Sequence, residues 1–134
     1  MSVFPVAKLQ PFDATLSGEP DEAELQIPLV PFELDDLSVE TEIVCDCIEL
    51  PTLDLAALSK QSFDFPTNPD DGCIDASVYI EHAHHPVDIT RIAFGALENG
   101  KLSAQLDLTI LFSHEGLREF EDVQCTLPIS IVDE

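Results

Sequence analysis

Positive charge is what this chain has least of. Its 134 residues carry five Lys and Arg against 27 Asp and Glu, for a net charge of −22. Even with each cation paired to one carboxylate, 22 carboxylates are left over. Phosphate binding needs Lys and Arg to displace counterions, so nucleic acid is excluded as an ordinary ligand. Long apolar runs are missing too. None approaches the ~18 residues of a membrane helix, so no membrane partner is expected. With five Gly there is little material for a Gly-rich phosphate loop, and no Gly-x-Ser-x-Gly nucleophile elbow occurs. The opening Met-Ser-Val-Phe-Pro-Val-Ala-Lys lacks a basic region followed by an apolar stretch, so no secretory leader is expected. The four Cys then read as reduced thiols of a cytoplasmic protein.

Apolar residues are plentiful. At 45% hydrophobic, the chain can build a core despite its charge, and one domain spanning 1–134 is the natural reading. A folded chain of this mass exposes roughly 7,000 Å². Spread evenly, the surplus charges would lie ~18 Å apart, beyond the Debye length of about 8 Å. A steering field therefore requires clustering. Asp21, Glu22 and Glu24, Asp35 and Asp36, Asp70 and Asp71, and Glu115, Glu119, Glu121 and Asp122 supply clusters along the chain. An evenly acidic surface, as in salt-adapted proteins, is the alternative reading.

Period-2 alternation dominates the second half. Leu102, Ala104, Leu106, Leu108, Ile110 and Phe112 are apolar, and Ser103, Gln105, Asp107 and Thr109 between them are polar, which predicts a half-buried strand. Asn99-Gly100 before it suits a type I′ hairpin turn, with Val87 to Glu98 as the antiparallel partner. A plain two-residue loop aligns Leu97 with Leu102 but strands Ile92 and Phe94 on the polar face, so a bulge near Gly95 is expected. The same register points Arg91 inward opposite Leu108, where Asp88 or Asp107 would have to pair with it.

Arg118 to Val132 reads as another strand, with an unpaired edge at Pro128. Further strands are predicted at Ile74 to Ile80, Val39 to Ile48, Leu25 to Leu29 and, at an edge, Val3 to Phe12. In the Val39 strand, Ile43, Cys45 and Cys47 share one face, and Glu40, Glu42 and Asp46 the other. One helix is expected over Leu53 to Lys60, capped by Thr52. Residues 13–22 and 62–72 read as loops. The predicted fold is mainly β: an antiparallel β-sandwich of six to eight strands with one short connecting helix. An α+β fold, a curved antiparallel sheet packed on that helix, is the alternative.

Two constellations could carry chemistry. His82 and His84 point to one side of a strand, and Cys45 and Cys47 repeat that spacing, so the four could form a tetrahedral Cys₂His₂ zinc site. Their spacing matches none of the standard zinc motifs, and the competing reading is two core thiols with solvated surface histidines. Asp70-Asp71-Gly72 with Asp75 lacks the alternating ligands of a calcium loop. A pairing of Cys73 or Cys125 with His114 lacks the electropositive setting that activates a thiol. No cofactor is expected.

The function expected from these residues is a non-catalytic acidic binding protein that docks on a basic protein partner, as inhibitors, immunity proteins and DNA mimics do. Its partner-binding residues would be Glu40, Glu42 and Asp46 on one strand face and Glu115, Glu119, Glu121 and Asp122 at the acidic turn. The alternatives are a metal-binding protein built on His82, His84, Cys45 and Cys47, and an accessory subunit or homo-oligomer joined through the Pro128 edge.

Overall fold

The computed structural model describes residues 4–34, 37–67, 72–80, 83–112 and 121–133. Its strands are β1 (Ala14–Glu19), β2 (Glu22–Pro28), β3 (Phe32–Leu34), β4 (Leu37–Val39), β5 (Glu42–Ile48), β6 (Ser62–Asp64), β7 (Asp75–Ile80), β8 (Ala83–Glu98), β9 (Lys101–Ile110) and β10 (Val123–Asp133). One helical turn, α1 (Leu55–Leu58), lies between β5 and β6.

The class is mainly β, as the alternation predicts, but the architecture is a barrel and not a sandwich. Seven strands pair in the closed order β1-β2-β5-β7-β8-β9-β10, and β10 returns to β1. Closure is made by a parallel contact, Ala14 to Leu16 beside Ile131 to Asp133; the other barrel pairs are antiparallel. The 16-residue β8 makes this possible. One of its edges takes β7 along Ala83 to Val87 and then β6 along Arg91 to Ala93, while the other takes β9. Alternation reads the same in a sandwich and a barrel, which is why the sequence pattern does not separate them. The α+β alternative fails because α1 is a single turn of four residues.

The hairpin is as predicted. Asn99 and Gly100 both take positive φ, 53° and 78°, and join Glu98 to Lys101. The bulge expected near Gly95 lies between Phe94 and Leu97. It sets Ile92 opposite Leu106 and Phe94 opposite Ala104, so both join the core. A second irregularity between Ile89 and Arg91 was not anticipated. It returns Ile89, opposite Leu108, to the core. The bulge near Gly95 is what turns Arg91 outward, where it faces Asp107 across the ladder and forms its ion pair with Asp64 at 3.5 Å. The interior is filled by Leu25, Ile27, Ile43, Val78, Ile89, Leu106, Ile110, Ile131 and their neighbours, all buried. Phe112 stacks on Phe4, with ring centroids 5.1 Å apart, and Phe4 meets Phe32 edge-on.

Local chemistry explains the remaining differences. The helix starts later than predicted because Asp54, not Thr52, is its N-cap. Asp54 accepts from the Ala56 amide at 3.1 Å, while Thr52 Oγ1 accepts from the Asp54 amide. Lys60 takes φ 66° and ends it. The N-terminal stretch forms no strand of its own: it makes a 3₁₀ turn over Val6–Lys8 and then touches the sheet through a single antiparallel bridge, Pro11 to Leu29. Residues 13–22, read as a loop, hold β1 and the turn to β2. There Gly18, at φ 90°, passes the Glu22 carbonyl too closely to admit a Cβ. β10 begins at Val123 and pairs with β1 only from Ile131 to Asp133, so no described strand covers its outer edge at Pro128.

Candidate functional site

Strand register decides which carboxylates meet. In the β1–β2 hairpin Glu19 faces Glu22 and Ser17 faces Glu24. Between β5 and β7, Asp46 faces Asp75. The end of β1, the start of β2, the end of β5 and the start of β7 all lie at one end of the barrel. Glu19, Glu22, Glu24, Asp46 and Asp75 therefore form a continuous acidic face across four adjacent strands. Asp21, whose amide donates to the Leu50 carbonyl at 2.8 Å, sits at its margin. Among the described residues the ion pairs are Arg91–Asp64 and Lys101–Asp13, and neither involves this face.

The β2–β5 register slips between Ala23 and Leu25, and this bulge shapes the centre of the face. Cys47 takes φ 60° there, an αL conformation uncommon for a residue with a Cβ. Strand alternation would put Cys47 inside with Cys45. The bulge turns it out to solvent and returns Ile48 to the core. Partial desolvation, followed by the carboxylates of Asp75, Asp46 and Glu22 and the thiol of Cys73, pushes the Cys47 thiol up from its ordinary range. Burial, with a smaller contribution from Asp46, pushes Cys45 up to about 12. It is a core residue. Burial raises Cys125 as well.

The partner-binding row read from the sequence is split by this geometry. Asp46 belongs to the acidic face. Glu42, opposite Pro28, starts β5 some ~13 Å away at the strand's rise per residue, and exposed Glu40 precedes it. Exposed Glu121 and Asp122 lead into β10, at the same barrel end as Glu42 but separated from it by β1 and β2. Glu115 and Glu119 lie outside the described residues. The sequence reading singled out neither Glu19, Glu24 nor Asp75 for docking. The Asp21-Glu22-x-Glu24 run was the visible signal, but its convergence with Asp46 depends on a register that composition does not carry.

The two thiols of the zinc reading do not share a face as the spacing suggests. Cys45 points into the core and Cys47 away from it. His84 is exposed and packs edge-on against Tyr79, its cross-strand partner, at 5.2 Å. His82, Asp70, Asp71 and His114 lie outside the described residues. Among the described residues no three His, Cys, Asp or Glu side chains are placed to hold a metal ion. His85, which follows His84 in the chain, is fully buried against Phe112, with ring centroids 4.9 Å apart. Its even spacing to Val87 and Ile89 was the available clue.

A groove of about 570 Å³ crosses the outside of β8, β9 and β10, with Phe12, Ser103, Gln105, Pro128 and Ser130 on its walls. Its carboxylate, Asp13, is held by Lys101 at 2.9 Å, and the lining places no nucleophile beside a base. No helix among the described residues is long and apolar enough to cross a membrane. Comparison with known protein families, with characterised proteins and with solved structures finds no match to this chain.

Proposed function

We propose that this protein is a non-catalytic binding protein whose acidic barrel end docks on a basic protein partner. The observation that carries this reading is the placing of like charges directly across the ladder, Glu19 against Glu22 and Asp46 against Asp75. Such pairs destabilise a sheet. Sequences that break a local rule without a compensating contact commonly do so where the surface is used. A cationic partner supplies the missing counter-charge, speeds encounter and selects against acidic competitors. The face is rigid, being built on four strands of one closed sheet, so it is organised before binding.

Charge reversal tests the reading. With lysozyme as a small cationic probe, the double variant Asp46→Lys, Asp75→Lys should slow association by about tenfold at low salt, as expected for loss of electrostatic steering. The control Glu42→Lys, Glu121→Lys changes net charge equally and should cost far less. Equal losses in both variants would mean that net charge alone matters and that this end of the barrel has no special role.

A further inference from the structure

Cys47 and Cys73 stand together at the acidic face, and the docking reading makes no use of them. Cys47 is exposed on the β5 bulge, Cys73 is partly exposed, and both are free thiols. Asp46 pairs with Asp75, and Ile74 between Asp75 and Cys73 is buried, so alternation turns Cys73 to the same outer side as Asp75. The approach of this segment to β5 has independent support. A Cβ built on Gly72 would lie 2.7 Å from Glu49 Oε2, so the residues entering β7 run alongside those leaving the bulge. Cys73 is also among the groups acting electrostatically on Cys47.

We propose that Cys47 and Cys73 form a redox-modification site, a thiol pair that a small uncharged peroxide closes to a disulfide, stapling the chain entering β7 to the bulge of β5. Continuing the Asp46–Asp75 register sets Cys47 opposite Ile74, one residue from Cys73, and a disulfide needs Cα atoms about 4.4–6.8 Å apart. Neither residue is fixed by the β5–β7 ladder, since Cys73 precedes β7 and Cys47 lies beyond the last pair.

The chemistry balances with hydrogen peroxide as oxidant. The Cys47 thiolate attacks one peroxide oxygen, the O–O bond breaks, and a sulfenic acid forms while the displaced hydroxide takes up a proton and leaves as water. The Cys73 thiolate then attacks the Cys47 sulfur, the S–O bond breaks, the S–S bond forms, and a second water departs. Two thiols are oxidised and one peroxide is reduced to two waters. The surrounding carboxylates select the oxidant. They repel anionic glutathione disulfide and leave neutral peroxide unaffected. They also keep the thiol protonated, so the reaction is slow near pH 7 and quickens as pH rises.

The test is peptide mapping of the native protein after hydrogen peroxide treatment and alkylation of the remaining thiols. The expected product is a monomer lighter by two hydrogens, with Cys47 joined to Cys73 and Cys45 and Cys125 alkylated after unfolding. Glutathione disulfide should react several-fold more slowly, with the gap narrowing at high salt. Cys47→Ser and Cys73→Ser should each abolish the mass loss, and Cys125→Ser should leave it. The melting temperature of the oxidised wild type should rise, because the bond restricts the unfolded chain. Full alkylation of Cys47 and Cys73 after oxidation, or a bond joining either to Cys125 or to a second molecule, would overturn the proposal. Because the readout is on the wild type, poor folding of a variant does not obscure it, and loss of lysozyme binding has no bearing on it.

Discussion

Asp75→Asn should stabilise the barrel while weakening its encounter with cationic proteins. Asp75 lies directly opposite Asp46 on the outer face, and the substitution removes one charge without changing side-chain shape. Cross-strand partners have Cβ atoms about 4.5–5.5 Å apart, so the two carboxylates lie roughly 6 Å apart. At water-like screening, Coulomb's law gives about 0.7 kcal/mol of repulsion at that separation, within the range measured for cross-strand charge pairs. For a domain of this size that corresponds to a rise in Tm of about 2–3 °C. The assay is thermal unfolding followed by circular dichroism, at low salt and at 1 M salt, where the screening length falls to about 3 Å. The gain should be present at low salt and nearly gone at high salt, and wild type should itself be stabilised by salt. A variant that melts at or below wild type in low salt would refute the reasoning, because the aspartates would then not repel across the ladder.

Other consequences follow from the same structure. Phe112→Ala should cost about 3–5 kcal/mol, read as a lower urea midpoint, because it empties a site walled by Phe4 and His85. Gly100→Ala should cost about 1 kcal/mol in the same assay, since Gly100 takes φ 78° in open space and the penalty is backbone strain alone. Cys45 holds its proton up to about pH 12 in the fold, whereas its unfolded thiol ionises near 9.0. Above pH 9 the unfolded state binds fewer protons, so stability falls with rising pH by about 1.4 kcal/mol per unit. Cys45→Val should remove that share of the alkaline loss, and an unchanged slope would show that the thiol is not buried. Asp54→Ala should lower stability by about 1 kcal/mol through loss of the cap on the Ala56 amide, and Thr52→Ala by less.

What could be read from the sequence was whatever depends on neighbours along the chain. Asn99-Gly100 announced its hairpin, and the misplaced Ile92 and Phe94 announced the bulge that rescues them. The even-numbered row from Leu102 to Phe112 is buried throughout. What failed depends on partners distant in sequence. Nothing in Ala14-Thr15-Leu16 says that it runs parallel to Ile131-Val132-Asp133, yet that contact turns a sheet into a barrel. The bulge that expels Cys47 leaves no local mark, since cysteine rarely takes positive φ and no Gly stands there. The same limit applied to the acidic face. Its members were visible as charges, but Glu22 and Asp75 become neighbours of Asp46 only through the pairing of β2, β5 and β7.

The central claim is that one end of the barrel, and not the whole acidic exterior, receives a basic partner. Carbodiimide labelling of carboxylates, quantified by mass spectrometry with and without saturating lysozyme, tests it most directly. The account predicts protection concentrated at Glu19, Glu22, Glu24, Asp46 and Asp75, with Glu42 and Glu121 labelled as in the free protein. Protection spread evenly over all of these carboxylates would contradict it.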